Sequence, residues 1–293
     1  MTAVLEELVN LLDLEEIEKN HYRGRSPDDS WQRVYGGQVL GQALVAASRT
    51  VEDTERSAHS LHAYFLRPGD PKVPLLYVVD RIRDGKSFTT RRVVAVQHGR
   101  PIFSMSISFQ VREPGLTHQF PMPEVPPPDA LESEITVRRR HAEAANLSAE
   151  DVARFTRERP IEMRPLNPQN EFAPEKREPH QTAWMRAVGR LPDDERLHQC
   201  ALAYLSDWSL LDTCTWPHGV SFMQPNFQTA SLDHAMWFHQ EFRADEWLLY
   251  VQDSPAAGGG RGFNRGLIYS QDGRLVASVA QEGLIRLRQD GPA

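Results

Sequence analysis

Three polar residues interrupt apolar or small-residue runs in this chain, and together they have the chemistry to hold and activate a water molecule. Asp207 follows Tyr204-Leu205-Ser206. Gln281 breaks the alternation of Val276, Ser278, Ala280 and Glu282. Ser231 stands just before Leu232-Asp233-His234, at the head of a β-rich run. A carboxylate accepts a proton from water, while an amide and a hydroxyl fix that water by hydrogen bonds. Asp207 also has a plainer reading, as the N-cap of a helix. His234, next to Asp233, has a structural reading beside a catalytic one.

An internal repeat gives these residues their setting. Leu75-Leu76-Tyr77-Val78-Val79-Asp80 returns as Leu248-Leu249-Tyr250-Val251-Gln252-Asp253, and His62-Ala63 returns as His234-Ala235. Gly99-Arg100 with Ser104 returns as Gly273-Arg274 with Ser278, and Phe88 as Phe263. Two like halves follow, and the informative positions are those where the copies part. Aligned this way, Ser206-Asp207 falls opposite Gly36-Gly37, at the start of a central helix in each half, and Gln281 replaces an apolar Ile107. A helix start, with free N–H groups and a positive dipole end, suits negative charge. Gly36 and Gly37 leave room there for a ligand carbonyl.

The elements that must position these residues are legible in outline. Leu5, Leu8, Val9 and Leu12 fall at helical spacing. Ile17 to Arg25 reads as a strand ended by Ser26-Pro27-Asp28-Asp29. Val39 to Ala47 is apolar on nearly every face, so its helix must be buried all round, with other backbone close to Gly41, Ala43, Ala46 and Ala47. Leu61–Leu66, Leu75–Ile82, Phe88–Gln97 and Pro101–Val111 are β-rich runs separated by turn residues, including Asp84-Gly85-Lys86 and His98-Gly99-Arg100. One buried helix followed by an antiparallel meander makes each half α+β, an antiparallel sheet around a central helix. In the second half, Ile161–Leu166 and Thr182–Leu191 read as strands, with Leu202–Leu211 as the central helix. The expected division is 1–115, a Pro-rich and helical connector over 116–158, and 159–293. Within the connector, Val137 to Arg159 reads as one charged helix, with Arg138-Arg139-Arg140 on a solvated face.

Composition removes several classes of function. A net charge of −7 is wrong for a nucleic-acid footprint. No apolar run reaches the length of a membrane span, the N-terminal stretch carries Glu6, Glu7, Glu15 and Glu16 rather than the basic start of a signal peptide, and the expected setting is cytoplasmic. Cys200 and Cys214 are too few for a disulfide framework and read as buried thiols. Asp84-Gly85-Lys86-Ser87 lacks the upstream glycine of a phosphate loop. Gly258-Gly259-Gly260-Arg261-Gly262 lies between two expected strands, so a loop fits better than a dinucleotide fingerprint. The sequence holds neither a G-x-S-x-G elbow nor H-E-x-x-H spacing, and no metal site is expected.

At these residues the chain resembles the acyl-CoA thioesterase II family of double-hotdog enzymes. The likeness runs through Tyr35-Gly36-Gly37-Gln38-Val39-Leu40-Gly41-Gln42, His62-Ala63-Tyr64-Phe65-Leu66-Arg67-Pro68-Gly69-Asp70, Leu232-Asp233-His234-Ala235-Met236-Trp237 and Gln281-Glu282-Gly283. The resemblance implies a tandem hotdog fold and hydrolysis of fatty acyl-CoA to free acid and CoA, without a metal or organic cofactor. It implies an Asp, Thr and Gln constellation, falling on Asp207, Ser231 and Gln281. Ser231 departs from the pattern, keeping the oxygen but losing the methyl group, and Thr229 is a nearby substitute. Asp207 would act as general base, or alternatively attack the thioester to give an anhydride. Gly36, Gly37, His234 and Arg261 are the expected substrate-binding residues, Arg261 as one of several cations available to CoA phosphates. The expected partner is acyl-CoA, with no nucleic acid or stable membrane association, and the family suggests a homodimer or homotetramer. Two rival readings are a hotdog enoyl-CoA hydratase and a non-catalytic acyl-CoA-binding protein.

Overall fold

A computed structural model describes residues 3–27 and 32–288 of the chain; Asp28 and Asp29 of the expected turn lie outside the described residues. The first half opens with α1 (Ala3–Leu12) and a short hairpin, β1 (Glu15–Glu18) and β2 (His21–Gly24). The central helix α2 (Gly36–Arg49) leads into long strands β3 (Arg56–Phe65), β4 (Leu75–Asp84), β5 (Phe88–Gln97) and β6 (Arg100–Val111). The connector carries α3 (Glu134–Ala144) and α4 (Ala149–Phe155). The second half holds β7 (Ile161–Pro165), β8 (His180–Ala187), the central helix α5 (Glu195–Ser206) and a 3-10 segment, Leu211–His218. It closes with β9 (Phe227–Ser231), β10 (Asp233–Phe238), β11 (Leu248–Gly258), β12 (Arg261–Ser270) and β13 (Leu275–Leu287).

All the strands of the described residues join one antiparallel sheet, and the halves meet where β3 pairs with β10. That register sets Ala63 opposite His234 and His62 opposite Ala235. The repeated dipeptides therefore face each other in opposite order, with Ala63 and His234 turned inward and His62 exposed. The sheet wraps α2 and α5, whose apolar faces join its inner face in one core. Two-residue turns at His98-Gly99 and Gly259-Gly260 close the hairpins β5–β6 and β11–β12, all four residues having positive φ. The glycine-rich run is thus a tight hairpin.

Helix α2 is buried along nearly its whole length, as its composition requires. Glycine sets the contact with α5. A Cβ on Gly37 would lie 2.3 Å from the Tyr204 carbonyl oxygen, and one on Gly41 would lie 3.0 Å from the Cys200 carbonyl oxygen. Rising residue numbers on α2 thus meet falling numbers on α5, so the helices run antiparallel. Leu5, Leu8 and Leu12 of α1 are buried in the same core.

The connector straps the outer face of the second half. Trp184, Trp247, Leu249 and Tyr269 form a separate buried cluster there, covered by Met122, Val125 and Leu131, and Trp184 Nε1 donates to the Pro126 carbonyl at 2.9 Å.

Several expectations need correction. Ile17–Arg25 is not one strand: Asn20 turns the chain at φ 65 between β1 and β2. Val137–Arg159 is two helices, broken at Asn146 with φ 56 and restarted by the Ser148 N-cap. Arg138 is not on a solvated face; it is buried between Glu134 at 3.0 Å and Glu171 at 2.5 Å. The second central helix does not occupy Leu202–Leu211. It starts at Glu195, where the Asp194 side chain accepts the Arg196 N–H, and ends at Ser206. Asp207 is therefore neither an N-cap nor at a helix start. It is the C-cap of α5.

Candidate active site

Antiparallel packing brings the end of α5 against the start of α2, so Asp207 reaches a helix N-terminus after all, but that of the other half. Its carboxylate accepts the Gly37 N–H. Tyr35, the N-cap of α2, offers no side-chain bond to the free N–H groups. Gly36 permits the close approach, since a Cβ there would lie 2.6 Å from Asp207 Oδ2 and 3.1 Å from the Phe65 ring. Beyond Asp207, Ser209 adopts φ 67 and bends the chain into the 3-10 segment. That rare conformation for a non-glycine residue is held by Gln252 Nε2 donating to Ser209 Oγ and Gln181 Nε2 donating to the Ser209 carbonyl, each at 3.0 Å.

The other two candidates arrive on neighbouring strands. Gln281, on the inner face of β13, donates from Nε2 to Asp207 Oδ1 at 2.6 Å and to Ser231 Oγ at 3.0 Å. Ser231 ends β9, which pairs with β13 so that Ser231 sits opposite Gly283. Its hydroxyl lies 3.5 Å from Asp207 Oδ1. Thr229, two residues earlier on β9, pairs with Ile285 further along the ladder and bonds neither Asp207 nor Gln281. Asp207, Ser231 and Gln281 thus share one cluster in which Oδ1 is held and Oδ2 lies beside Gly36.

Burial raises the Asp207 pKa; the Gln281 amide, the Gly37 N–H and the Ser231 hydroxyl act in the opposite direction. The C-terminal dipole of its own helix disfavours the charge, while the N-terminus of α2 favours it. The last carbonyls of α5 are satisfied by neutral groups: Tyr35 Oη donates to Tyr204 O and Tyr250 Oη to Ser206 O, both at 2.9 Å. His234 is fully buried, and burial lowers its pKa to about 3, so its imidazole is neutral at pH 7. Ser206 Oγ donates to the Ala203 carbonyl, so it accepts from His234 Nε2 at 3.0 Å. His234 Nδ1 is then a bare acceptor 3.8 Å from Asp207 Oδ1, without a hydrogen bond of its own.

The symmetry-related end of the helix pair has been filled. At the C-terminus of α2, Arg196 donates to the carbonyls of Ser48, Val51, Asp53 and Arg56, while the buried Arg91 donates to Thr50 Oγ1 at 2.8 Å and to Thr50 O. The C-cap there is Thr50, which has no carboxylate, and the facing start of α5 is capped by Asp194. One end of the helix pair keeps an acid against the start of α2; the other is sealed. Arg196→Ala removes those bonds and should cost about 1–3 kcal/mol of stability, read as a lower thermal midpoint, while turnover per folded molecule stays near wild type.

Of the expected substrate-binding residues, Gly36, Gly37 and His234 lie in the cluster. Arg261 does not. It opens β12 on the outer, solvent-facing side of the sheet, paired with Glu282 at 2.9 Å, whereas Gln281 points inward. The glycine-rich run beside Arg261 is only the hairpin turn. Sequence reasoning passed over Tyr35 and Tyr250, although Tyr250 repeats Tyr77 in the duplicated strand. It also passed over the helix-start signal of Asp194, which fixes where α5 ends.

Comparison with known sequences extends this picture. Residues 151–284 match the acyl-CoA thioesterase family and residues 27–110 match the acyl-CoA thioesterase N-terminal domain. The chain is 39% identical to acyl-CoA thioesterase 2 of Haemophilus influenzae, covering 99% of this chain and 100% of that one. It is 44% identical to human acyl-coenzyme A thioesterase 8, covering 96% of this chain and 89% of the relative. The chain belongs to the acyl-CoA thioesterase family. It is thus a thioester hydrolase by family. Its fold matches the crystal structure of the acyl-CoA thioesterase II TesB2 from Mycobacterium marinum, with 47% identity, a TM-score of 0.77, and coverage of 96% of this chain and 99% of that one. The tandem hotdog expected from the resemblance is the fold of this thioesterase.

Proposed function

We propose that this thioesterase hydrolyses fatty acyl-CoA to the free acid and CoA, with Asp207 as general base. The observation that carries the reading is the asymmetry of the carboxylate. Oδ1 is held by Gln281 at 2.6 Å, and Oδ2, outside the Gln281 and Ser231 bonds, lies beside Gly36 at the start of α2. A water beside Oδ2 gives a proton to Asp207 as its oxygen attacks the thioester carbonyl carbon. The carbonyl oxygen becomes an oxyanion near the N-terminus of α2, where the dipole and the Gly36 N–H favour it. The C–S bond then breaks, the electron pair leaves with sulfur, and the proton on Asp207 passes to the CoA thiolate. Gln281 and Ser231 hold the carboxylate, and through it the water, in line.

Release of free thiol from short, medium and long acyl-CoA tests the activity. A hydratase would bleach the enoyl chromophore without freeing thiol, and a binding protein would do neither. Gln281→Ala should lower turnover by roughly tenfold to a hundredfold, because it frees Asp207 Oδ1. Ser231→Ala should cost less, since its hydroxyl lies 3.5 Å from that oxygen. Equal losses, or none, would contradict these two roles.

The same proposal includes the division of the chain at residues 115 and 159, a cytoplasmic setting and a homo-oligomer. Exposed Tyr64 and Trp237, on the outer face where the halves join, support the last. Sedimentation at micromolar concentration tests it, and a monomer would remove it.

A further inference from the structure

The end of Gln281 that faces away from Asp207 has no partner among the described residues. Nε2 is committed to Asp207 Oδ1 and Ser231 Oγ, but Oε1 is buried without a hydrogen bond. Directly across the β12–β13 ladder sits Asn264, fully buried, with neither Nδ2 nor Oδ1 hydrogen-bonded. Facing residues of an antiparallel pair project to the same side, with Cβ atoms roughly 5 Å apart. Both side chains lie on the inner face, since Gly262 and Gly266 beside Asn264, and Val279 and Gly283 beside Gln281, are buried or half-buried too. The 3-10 segment closes over them. A Cβ on Gly262 would lie 2.3 Å from Cys214 Sγ, and one on Gly283 would lie 2.0 Å from Leu211 Cδ1. The Cys214 thiol is the polar neighbour of Asn264, but it already donates to Leu211 O and its sulfur is a weak acceptor.

Buried amides without partners are costly, and three open polar atoms on two facing residues call for one another. We infer that Asn264 is a positioning residue, donating from Nδ2 through one trapped water to Gln281 Oε1, and so keeping the Gln281 amide turned with its nitrogen toward Asp207. A flipped Gln281 would set Oε1 against the carboxylate and withdraw its donor. The first half has no such pair, since Ile107 stands opposite Arg91 on the matching ladder. The arrangement therefore belongs with the acid. The inference rests on the reading of Asp207 as base and extends it to a residue that touches neither the substrate nor the attacking water.

The test compares Asn264→Val with Asn264→Thr, which share a shape and differ by one hydroxyl donor. Asn264→Val should lose roughly tenfold or more in kcat with KM little changed, and the acid limb of its pH–rate profile should move to higher pH, because Asp207 loses its best donor. Asn264→Thr should keep kcat within about threefold of wild type, with the limb in place. Equal behaviour of the two folded variants, or a wild-type profile for Asn264→Val, overturns the inference. Should neither fold, Asn264→Asp decides, since it keeps the volume. Once ionised it only accepts, draws the Gln281 nitrogen round, and turnover falls as pH rises through its titration; a wild-type-shaped profile overturns the proposal. If Asp207→Asn proves active, the base reading itself has failed, which an unaffected Asn264→Val alone does not show.

Discussion

Asp207→Asn is expected to fold, to melt at a higher temperature than wild type, and to release thiol at least about a hundredfold more slowly. The loss follows from chemistry, since an amide cannot take the proton of water. The gain follows from burial. Only 6% of the Asp207 side chain is exposed, and burial outweighs its hydrogen bonds in setting its pKa, which lies above the ordinary carboxylate value. The sign is then fixed by linkage: a carboxyl group whose pKa is higher in the folded state costs stability once it ionises. The cost is absent well below the ordinary carboxylate pKa, grows as pH rises past it, and is complete above the folded-state pKa. Asn has the same shape, still accepts from Gln281 through Oδ1, and never ionises. The rise in thermal midpoint should therefore appear at neutral pH and vanish at a pH of about 3, below the ordinary carboxylate range. Activity and stability trade against each other at this residue. A folded, fully active Asp207→Asn removes both the base and the anhydride route. A single turnover in 18O-labelled water separates those two, since only the anhydride route leaves label in the Asp207 carboxylate.

The sequence carried the duplication and the identities of the clustered residues further than it carried their geometry. Tyr77 and Tyr250, His62 and His234, and the turns at Gly99 and Gly273 mark equivalent strands whose period-2 patterns are strong. The joined sheet follows from them. Asp207, Ser231 and Gln281 could be singled out because each is polar where its copy or its neighbours are not. What could not be read was which end of a helix Asp207 occupies. Comparing Ser206-Asp207 with Gly36-Gly37 placed it at a start, whereas the Asp194 cap begins the helix twelve residues earlier and leaves Asp207 at the end. The error of placement cancels in space. The Gly37 and Gly41 contacts make α2 and α5 antiparallel, so the end of one is the start of the other. Arg261 failed for another reason: strand alternation sends it outward while Gln281 points inward, and its glycine neighbours serve a turn.

Gly36→Ala and Gly37→Ala should separate the chemistry of this junction from its packing. Neither position has positive φ, so alanine fits the backbone and favours the helix. At Gly36 the new methyl group meets Asp207 Oδ2 at 2.6 Å and the Phe65 ring at 3.1 Å. Gln281 pins the carboxylate, so the methyl presses Oδ2 aside and with it the water proposed beside that oxygen. Turnover should fall on the order of a hundredfold while the thermal midpoint holds or rises slightly. At Gly37 the methyl meets the Tyr204 carbonyl oxygen at 2.3 Å, and backbone cannot step aside as a side chain can. The helices must part, costing about 1–3 kcal/mol, and because the end of α5 moves with them, turnover falls as well. The decisive comparison is Gly36→Ala in the Asp207→Asn background. If the methyl acts by displacing water from the base, it should cost almost nothing once the base is gone. An undiminished loss in the double variant would mean that Gly36 serves the thioester carbonyl instead of the water, and would move the oxyanion, rather than the nucleophile, to the space above it.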